Sequence, residues 1–245
     1  MNRKIIVEGH RGYCARYPEN TLLSYHAALE LGVDAVEFDV WLTADKVPVL
    51  MHDGNCRRTC GVNRHLRDMT LAEVRELDAG YAEKFGDTYL GQGIGVPTLE
   101  EALQLFSRER PTVKLGVEIK EYTEETVDLT VALLKKYGFF DTCWFYAFNA
   151  RTIKYIKTRY NGRTMGYPDF LMQEFAPDTY DYYDEIGINM RVMRSEVFPI
   201  YAAKNLPMHM YCADCEEDVR YAIEHGASLI TANEPIPLMT VLGRK

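Results

Sequence analysis

Short β-branched apolar runs alternate with helix-patterned stretches along nearly the whole of this chain, and several runs end in charged or imidazole side chains. The runs fall at 4–9, 35–42, 47–51, 114–119, 143–148, 163–166, 186–190, 207–211 and 228–231. Helical patterns lie between most of them. The stretch 20–31 places Leu22, Leu23, Ala27 and Leu31 at helical spacing. The stretch 98–106 opens with Thr98 and Glu101, the spacing of a capping box. Thr123 and Thr126 open 123–137, which stops at Gly138, and 214–224 stops before Gly226. Strand–helix units repeated over 245 residues predict a single (β/α)₈ barrel rather than an open sheet.

One connection breaks the pattern. Only residues 43–46 separate the second and third runs, too few for a helical crossover. The chain must turn back there as a hairpin. A turn centred on Ala44–Asp45 would set Glu37 opposite His52. The following stretch, 54–96, reads as a small insertion or lid within the barrel, with glycine-rich 86–95 as its most mobile part.

Charge narrows the function. A formal net charge of −8 argues against nucleic acid as a partner and against adhesion to anionic membranes. No apolar run approaches the roughly 20 residues of a membrane helix, and the one after Arg3 and Lys4 is too short for an export signal. A cytoplasmic protein with reduced thiols is therefore expected from its six cysteines. Cys56, Cys60 and His65, with Cys212 and Cys215, have suggestive spacings. Neither pair has a clean partner pair for a four-ligand zinc site, so inert thiols are the plainer reading. The oligomeric state stays open.

The strand ends carry the chemistry. Glu37 and Asp39 are two apart on a strand and share a face, whereas Val36, Phe38 and Val40 point to a buried one. With Glu118 from another strand they make a hard oxygen set suited to Mg²⁺ or Ca²⁺. The alternative is a solvated face of an edge strand. His10 ends the first run and is followed by Arg11, able to grip a phosphate with two hydrogen bonds, and Gly12, free to turn sharply. His52 ends the third run beside Asp53, which can orient its ring. Lys120 shares the face of Glu118. Two imidazoles, three carboxylates and two cations meet the needs of metal-assisted phosphate ester cleavage. The other histidines, His26, His65, His209 and His225, read as structural.

These residues lie in segments that together resemble a known family. His10–Arg11–Gly12 with Glu19–Asn20, then GVDAVEFDVWLTADKVPVLMHD, VPTLEEAL and GVEIK, closely resemble the glycerophosphodiester phosphodiesterases, in the same order from Gly9 to about Pro235. The resemblance implies a (β/α)₈ barrel related to that of the phosphatidylinositol-specific phospholipases C. It implies His10 and His52 as the acid–base pair, and Glu37, Asp39 and Glu118 as ligands of a divalent cation. Arg11 and Lys120 would contact phosphate, and Glu19 would sit at the edge of the site. It further implies a small covering subdomain at 54–96 and a likeness to cytosolic bacterial members. The chain departs from the pattern late. Tyr211–Cys212–Ala213–Asp214 stands where a Trp–Thr–x–Asn stretch is common, so Tyr211 would supply the aromatic wall. Asp214 would bring negative charge near an anionic ligand, and Ala232 interrupts a Thr–Asp–x–Pro motif. Phe148 and Asn149 fall at another site-facing strand end.

The implied reaction is hydrolysis of a small-molecule glycerophosphodiester to sn-glycerol 3-phosphate and an alcohol. Two alternatives use the same residues. A lysophospholipase D-like enzyme would need an apolar acyl channel, for which aromatic 180–183 is a candidate lining, although surface or packing is the plainer role for that stretch. A non-catalytic phosphate-ester-binding barrel would have no use for two acid–base histidines.

Overall fold

The computed structural model describes residues 5–244, so Arg3 and Lys4 lie outside the described residues. Among the described residues nine strands run in the order β1 (Ile6–Gly9), β2 (Ala35–Leu42), β3 (Pro48–Leu50), β4 (Lys114–Ile119), β5 (Cys143–Tyr146), β6 (Thr164–Gly166), β7 (Glu185–Asn189), β8 (Met208–Tyr211) and β9 (Ala227–Ala232). All but β3 are parallel, and pairing of β1 with both β9 and β2 closes them into the eight-stranded barrel that the sequence predicts. The helices are α1 (Leu22–Leu31), α2 (Arg57–Cys60), α3 (Leu71–Val74), α4 (Ala82–Phe85), α5 (Leu99–Glu109), α6 (Glu124–Lys136), α7 (Ala150–Tyr160), α8 (Met190–Met193), α9 (Phe198–Ala202), α10 (Glu216–Glu224) and α11 (Pro235–Val241). None of them is long and apolar enough to cross a membrane.

Capping chemistry sets the helix ends. Thr98 and Glu101 form the reciprocal box: Glu101 Oε2 accepts the Thr98 N–H at 2.8 Å, and Thr98 Oγ1 accepts the Glu101 N–H at 3.2 Å. The helix they open then buries Leu99, Leu103 and Phe106 against the barrel, worth about 1.5–3 kcal/mol for each side chain. Thr123 accepts the Thr126 N–H at 3.1 Å, and Gly138 leaves that helix with φ 77°. Helix α1 starts later than its apolar spacing suggests. Thr21 is its cap, and Asn20 sits outside at φ 54°.

The hairpin forms, with a register one residue from the expected one. Val40 faces Leu50 and Leu42 faces Pro48, and Met51 N–H donates to Asp39 O. The cause is the turn. Lys46 takes a left-handed conformation (φ 65°), so the loop holds three residues between Thr43 and Val47 instead of two. Because β3 is antiparallel, it returns the chain toward the end of the barrel where Glu37 and Asp39 lie.

Side chains on the outer face of the barrel, such as Val36, Phe38, Val117 and Phe145, pack with the surrounding helices in one large cluster. Inside lie Ala35, Trp144, Tyr146, Met165 and Leu229. Residues 54–96 pack a third cluster around Leu66, Met69 and Val74 together with Val49 and Met51. The glycine-rich stretch expected to be most mobile is tied at three points: Gly91 N–H to Asp78, Tyr89 hydroxyl to Arg16 O, and Ala79 N–H to Ile94 O.

Thr98→Ala removes one half of the capping box and leaves an N-terminal amide of α5 unpaired. The expected loss is about 1 kcal/mol, measured as a lower urea midpoint at unchanged slope.

Candidate active site

The site begins where β1 ends. The backbone turns through Arg11 (φ 50°) and Gly12 (φ 85°). A Cβ on Gly12 would lie 2.6 Å from the Ser24 backbone, so only glycine lets α1 pack here. The turn aims the Arg11 N–H at Glu37 Oε2, 2.8 Å away. It also sends the Arg11 side chain toward Glu19 Oε1 at 2.8 Å and Asp39 Oδ2 at 3.4 Å.

Glu37, Asp39 and Glu118 converge from adjacent strands, their oxygens within 4.8 Å of one another. All three are buried. Asp39 Oδ2 accepts from Asn20 Nδ2 at 2.7 Å, and Glu118 Oε1 accepts from Lys120 Nζ at 2.6 Å. Lys120 Nζ also lies 3.3 Å from Asp39 Oδ1. Glu37 Oε1 and Asp39 Oδ1 still make no hydrogen bond among the described residues. Burial, with the charges of Asp39 and Glu118, pushes the Glu37 carboxyl well above its ordinary value. Burial also raises Glu118. For Asp39 burial works in the same direction, but Lys120 and Arg11 outweigh it and hold the group below the usual carboxylate range. Orphaned oxygens among crowded hard donors fit a divalent cation of the Mg²⁺ or Ca²⁺ kind.

The two histidines have different partners. His10 Nδ1 is 2.6 Å from Asn233 Oδ1. That amide is oriented by Asp214, which accepts from Asn233 Nδ2 at 2.7 Å and from the Asn233 N–H at 2.7 Å. An amide oxygen only accepts, so His10 carries its proton on Nδ1 and leaves the Nε2 lone pair free, 3.9 Å from Glu37. Burial, followed by the charge of Arg11, lowers His10 to about 4, so the ring is neutral near pH 7. His52 Nδ1 instead meets the Asp53 carboxylate at 2.6 Å. Asp53 accepts in turn from Arg58 Nε at 2.6 Å, and the Arg58 fork reaches Glu19 at 2.7 and 3.0 Å. A continuous chain of charge thus runs from His52 through Asp53, Arg58 and Glu19 to Arg11.

His10, Arg11, Glu37, His52, Glu118 and Lys120 line one cavity of about 270 Å³, together with Phe148, Tyr167 and Tyr211. Phe148 stacks on Tyr167 (centroids 3.7 Å apart, planes 6° apart), and Tyr211 meets Tyr167 edge-on. Of the residues singled out from sequence, Asp39 and Glu19 stand behind this lining, Asp39 through Lys120 and Arg11, Glu19 through Arg11 and Arg58.

Several expectations need correction. Asp214 does not face the anion side of the cavity; it anchors Asn233 and the Glu234 N–H, so its charge is spent on backbone and amide donors. Asn149 is the cap of α7, accepting the Thr152 N–H at 3.0 Å, because β5 ends at Tyr146 and the chain has already left the sheet. The aromatic stretch 180–183 takes the plainer packing role and not that of a channel lining: Tyr180 packs on Phe175 and Tyr183, with Lys204 over its ring. His209, read as bland, lines the cavity wall. Asn20, Arg58 and Asn233 carry no local signal that marks them, since each acts through a partner distant in sequence. Only the order Glu19–Asn20 hinted at the first.

The sequence profile of the Glycerophosphoryl diester phosphodiesterase family matches residues 10–236. A glycerophosphodiester phosphodiesterase of Caldanaerobacter subterraneus is 34% identical over 158 residues, 63% of this chain and 62% of that protein. One from Bacillus subtilis is 38% identical over 111 residues, 43% of this chain and 37% of that protein. The matched part thus spans less than two thirds of either relative. Among solved structures, a phosphodiesterase of Oleispira antarctica in complex with the product sn-glycerol-3-phosphate superposes with a TM-score of 0.84 at 25% identity, covering 97% of this chain and 96% of that one. A glycerophosphodiester phosphodiesterase of Agrobacterium tumefaciens shares the fold at 23% identity, with a TM-score of 0.79 over 97% of this chain and 100% of that one.

Arg58→Met keeps the aliphatic stem and removes the fork, leaving Glu19 and Asp53 short of donors. Unfolding in urea is expected to show a loss of about 2 kcal/mol. A loss within about 0.5 kcal/mol would instead class the linkage with ordinary surface ion pairs.

Proposed function

This chain belongs to the glycerophosphoryl diester phosphodiesterase family, and from that premise we propose that it hydrolyses glycerophosphodiesters to sn-glycerol 3-phosphate and an alcohol. One observation carries the reading. Three buried carboxylates, two of them with an oxygen that makes no hydrogen bond among the described residues, meet at a cavity whose wall also holds two imidazoles with unlike partners and two cations.

The unlike partners support one division of the two proton transfers. His10, hydrogen-bonded to a neutral amide and neutral near pH 7, takes the proton of the attacking hydroxyl on its free Nε2. His52, whose Nδ1 is held by the Asp53 carboxylate, gives a proton to the oxygen of the departing alcohol. Arg11 and Lys120 offset charge on the phosphoryl oxygens. Glu37, Asp39 and Glu118 would hold a divalent cation, Mg²⁺ or Ca²⁺, which when bound supplies Lewis-acid stabilisation of the phosphate. The rings of Phe148, Tyr167 and Tyr211 would wall the substrate, and Arg58 would let the 54–96 segment brace His52 while covering the rim. Six unpaired cysteines suit a reducing compartment such as the cytoplasm.

Release of glycerol 3-phosphate from glycerophosphocholine is expected to stop in EDTA and to return with Mg²⁺ or Ca²⁺. Release that continues undiminished in excess EDTA would remove the metal from the scheme. His10→Ala and His52→Ala are each expected to cost on the order of 10²–10⁴ in turnover with unchanged circular dichroism. On a nitrophenyl diester, whose leaving group needs no proton, the His52→Ala loss should shrink to under about tenfold while the His10→Ala loss persists. The opposite pattern would exchange the two roles.

A further inference from the structure

Asn20 stands just outside α1 with a left-handed backbone (φ 54°), and its N–H donates to Arg11 O at 3.1 Å. That turn presents the side chain to β2, where the amide meets Asp39 twice. Asn20 Nδ2 donates to Asp39 Oδ2 at 2.7 Å, and Asn20 Oδ1 accepts the Asp39 N–H at 3.3 Å. A backbone N–H only donates, so the amide oxygen must lie on that side and the NH₂ on the carboxylate side. The Tyr25 hydroxyl donates to the same Oδ1 at 2.9 Å.

Tyr25 lies one turn into α1, on its buried face, and is fully buried. Its ring packs with Phe38 and Phe106, centroids 6.3 and 5.5 Å away. Phenylalanine would serve that packing equally well, and a hydroxyl taken out of water is costly unless it is hydrogen-bonded. Here the hydroxyl spends its proton on the amide that grips Asp39. The consequence shows at the two oxygens of Asp39. Asn20 Nδ2 and Arg11 Nε, the latter at 3.4 Å, both approach Oδ2. Oδ1 makes no hydrogen bond among the described residues, although Lys120 Nζ lies 3.3 Å away. One oxygen is held and the other left over, in a carboxylate that clusters with Glu37 and Glu118.

We propose that Tyr25 is a positioning residue for the divalent cation. Acting through Asn20, its hydroxyl fixes the rotation of the Asp39 carboxylate and so sets how tightly the three carboxylates bind Mg²⁺ or Ca²⁺. The inference rests on the reading of Glu37, Asp39 and Glu118 as the cation's ligands. Groups hydrogen-bonded to a metal ligand orient it, and their loss costs about 10–100-fold in affinity. Without the hydroxyl, Asn20 Oδ1 keeps only the longer bond from the Asp39 N–H, and the amide is freer to turn. Asp39 is then freer to turn with it, and Lys120 becomes a competing partner for the oxygen the cation needs.

The test titrates Mg²⁺, Ca²⁺ and Mn²⁺ into the metal-free protein without substrate, by calorimetry, with free Mn²⁺ counted from its paramagnetic resonance signal. Tyr25→Phe is expected to weaken binding of each cation about fivefold. Asn20→Gly tolerates the left-handed turn and is expected to lose about 10–100-fold. With Asn20→Gly in place, adding Tyr25→Phe is expected to cost nothing further, because the hydroxyl then has no amide to hold. Urea unfolding of the same metal-free proteins separates a packing role from a positioning one. Affinity in Tyr25→Phe within about twofold of wild type, whether or not its urea midpoint falls, overturns the proposal. So does a further loss of more than about twofold in the double variant, which would route the hydroxyl's effect around Asn20. Wild type that binds none of the three cations removes the ligand reading itself, and the proposal with it.

Discussion

Three carboxylates buried within 4.8 Å of one another are the constraint around which this molecule is arranged. Like charges at that spacing in a low-dielectric interior cannot all ionise without compensation. The protein supplies part of it: the Arg11 backbone N–H on Glu37, the Asn20 amide on Asp39, and Lys120 between Asp39 and Glu118. The part left over is visible as two oxygens with no hydrogen bond among the described residues and as the upward displacement of Glu37 and Glu118 while Asp39 moves down. The remaining deficit of positive charge is what a hard divalent cation and its anionic substrate together would balance.

The surrounding charges extend this arrangement outward. Arg11 serves Glu19 and Asp39 at once, Glu19 serves both Arg11 and Arg58, and Arg58 continues to Asp53 behind His52. The 54–96 segment is therefore attached to the barrel mouth through Arg58 as well as through its apolar cluster. On the opposite wall Asp214 fixes Asn233, which fixes His10. One imidazole thus faces an amide and the other a carboxylate, and the proposed division of their roles rests on that difference.

Much of the fold is legible in the sequence for local reasons. The apolar run 35–42 is strand β2 residue for residue, and the capping box at Thr98 opens α5. What escaped local reading has physical causes too. Lys46 adopts a left-handed turn that no neighbouring residue announces, and it shifts the hairpin by one. Asn149 follows the end of sheet pairing and becomes a helix cap. His209 sits in a run of apolar residues that describes its strand but not its partner Glu8, which lies 201 positions away in the chain. The candidate site residues could be singled out because charge at the end of a buried strand has no cheap explanation. Their supporting residues could not, since Arg58, Asn20 and Asn233 are ordinary polar residues until the fold brings their partners near.

The sequence by itself determined the alternation of strands and helices and the set of ionisable groups delivered to strand ends. Each of these follows from period, capping and strand-end placement, which are properties of neighbours along the chain. Only the tertiary structure decided which imidazole faces an amide and which a carboxylate, which carboxylate oxygens stay unpartnered, and that Asp214 turns toward Asn233 rather than toward the cavity. Those outcomes depend on distances between residues up to 223 positions apart, as between His10 and Asn233. At that separation electrostatics and hydrogen bonding act only after the barrel has closed.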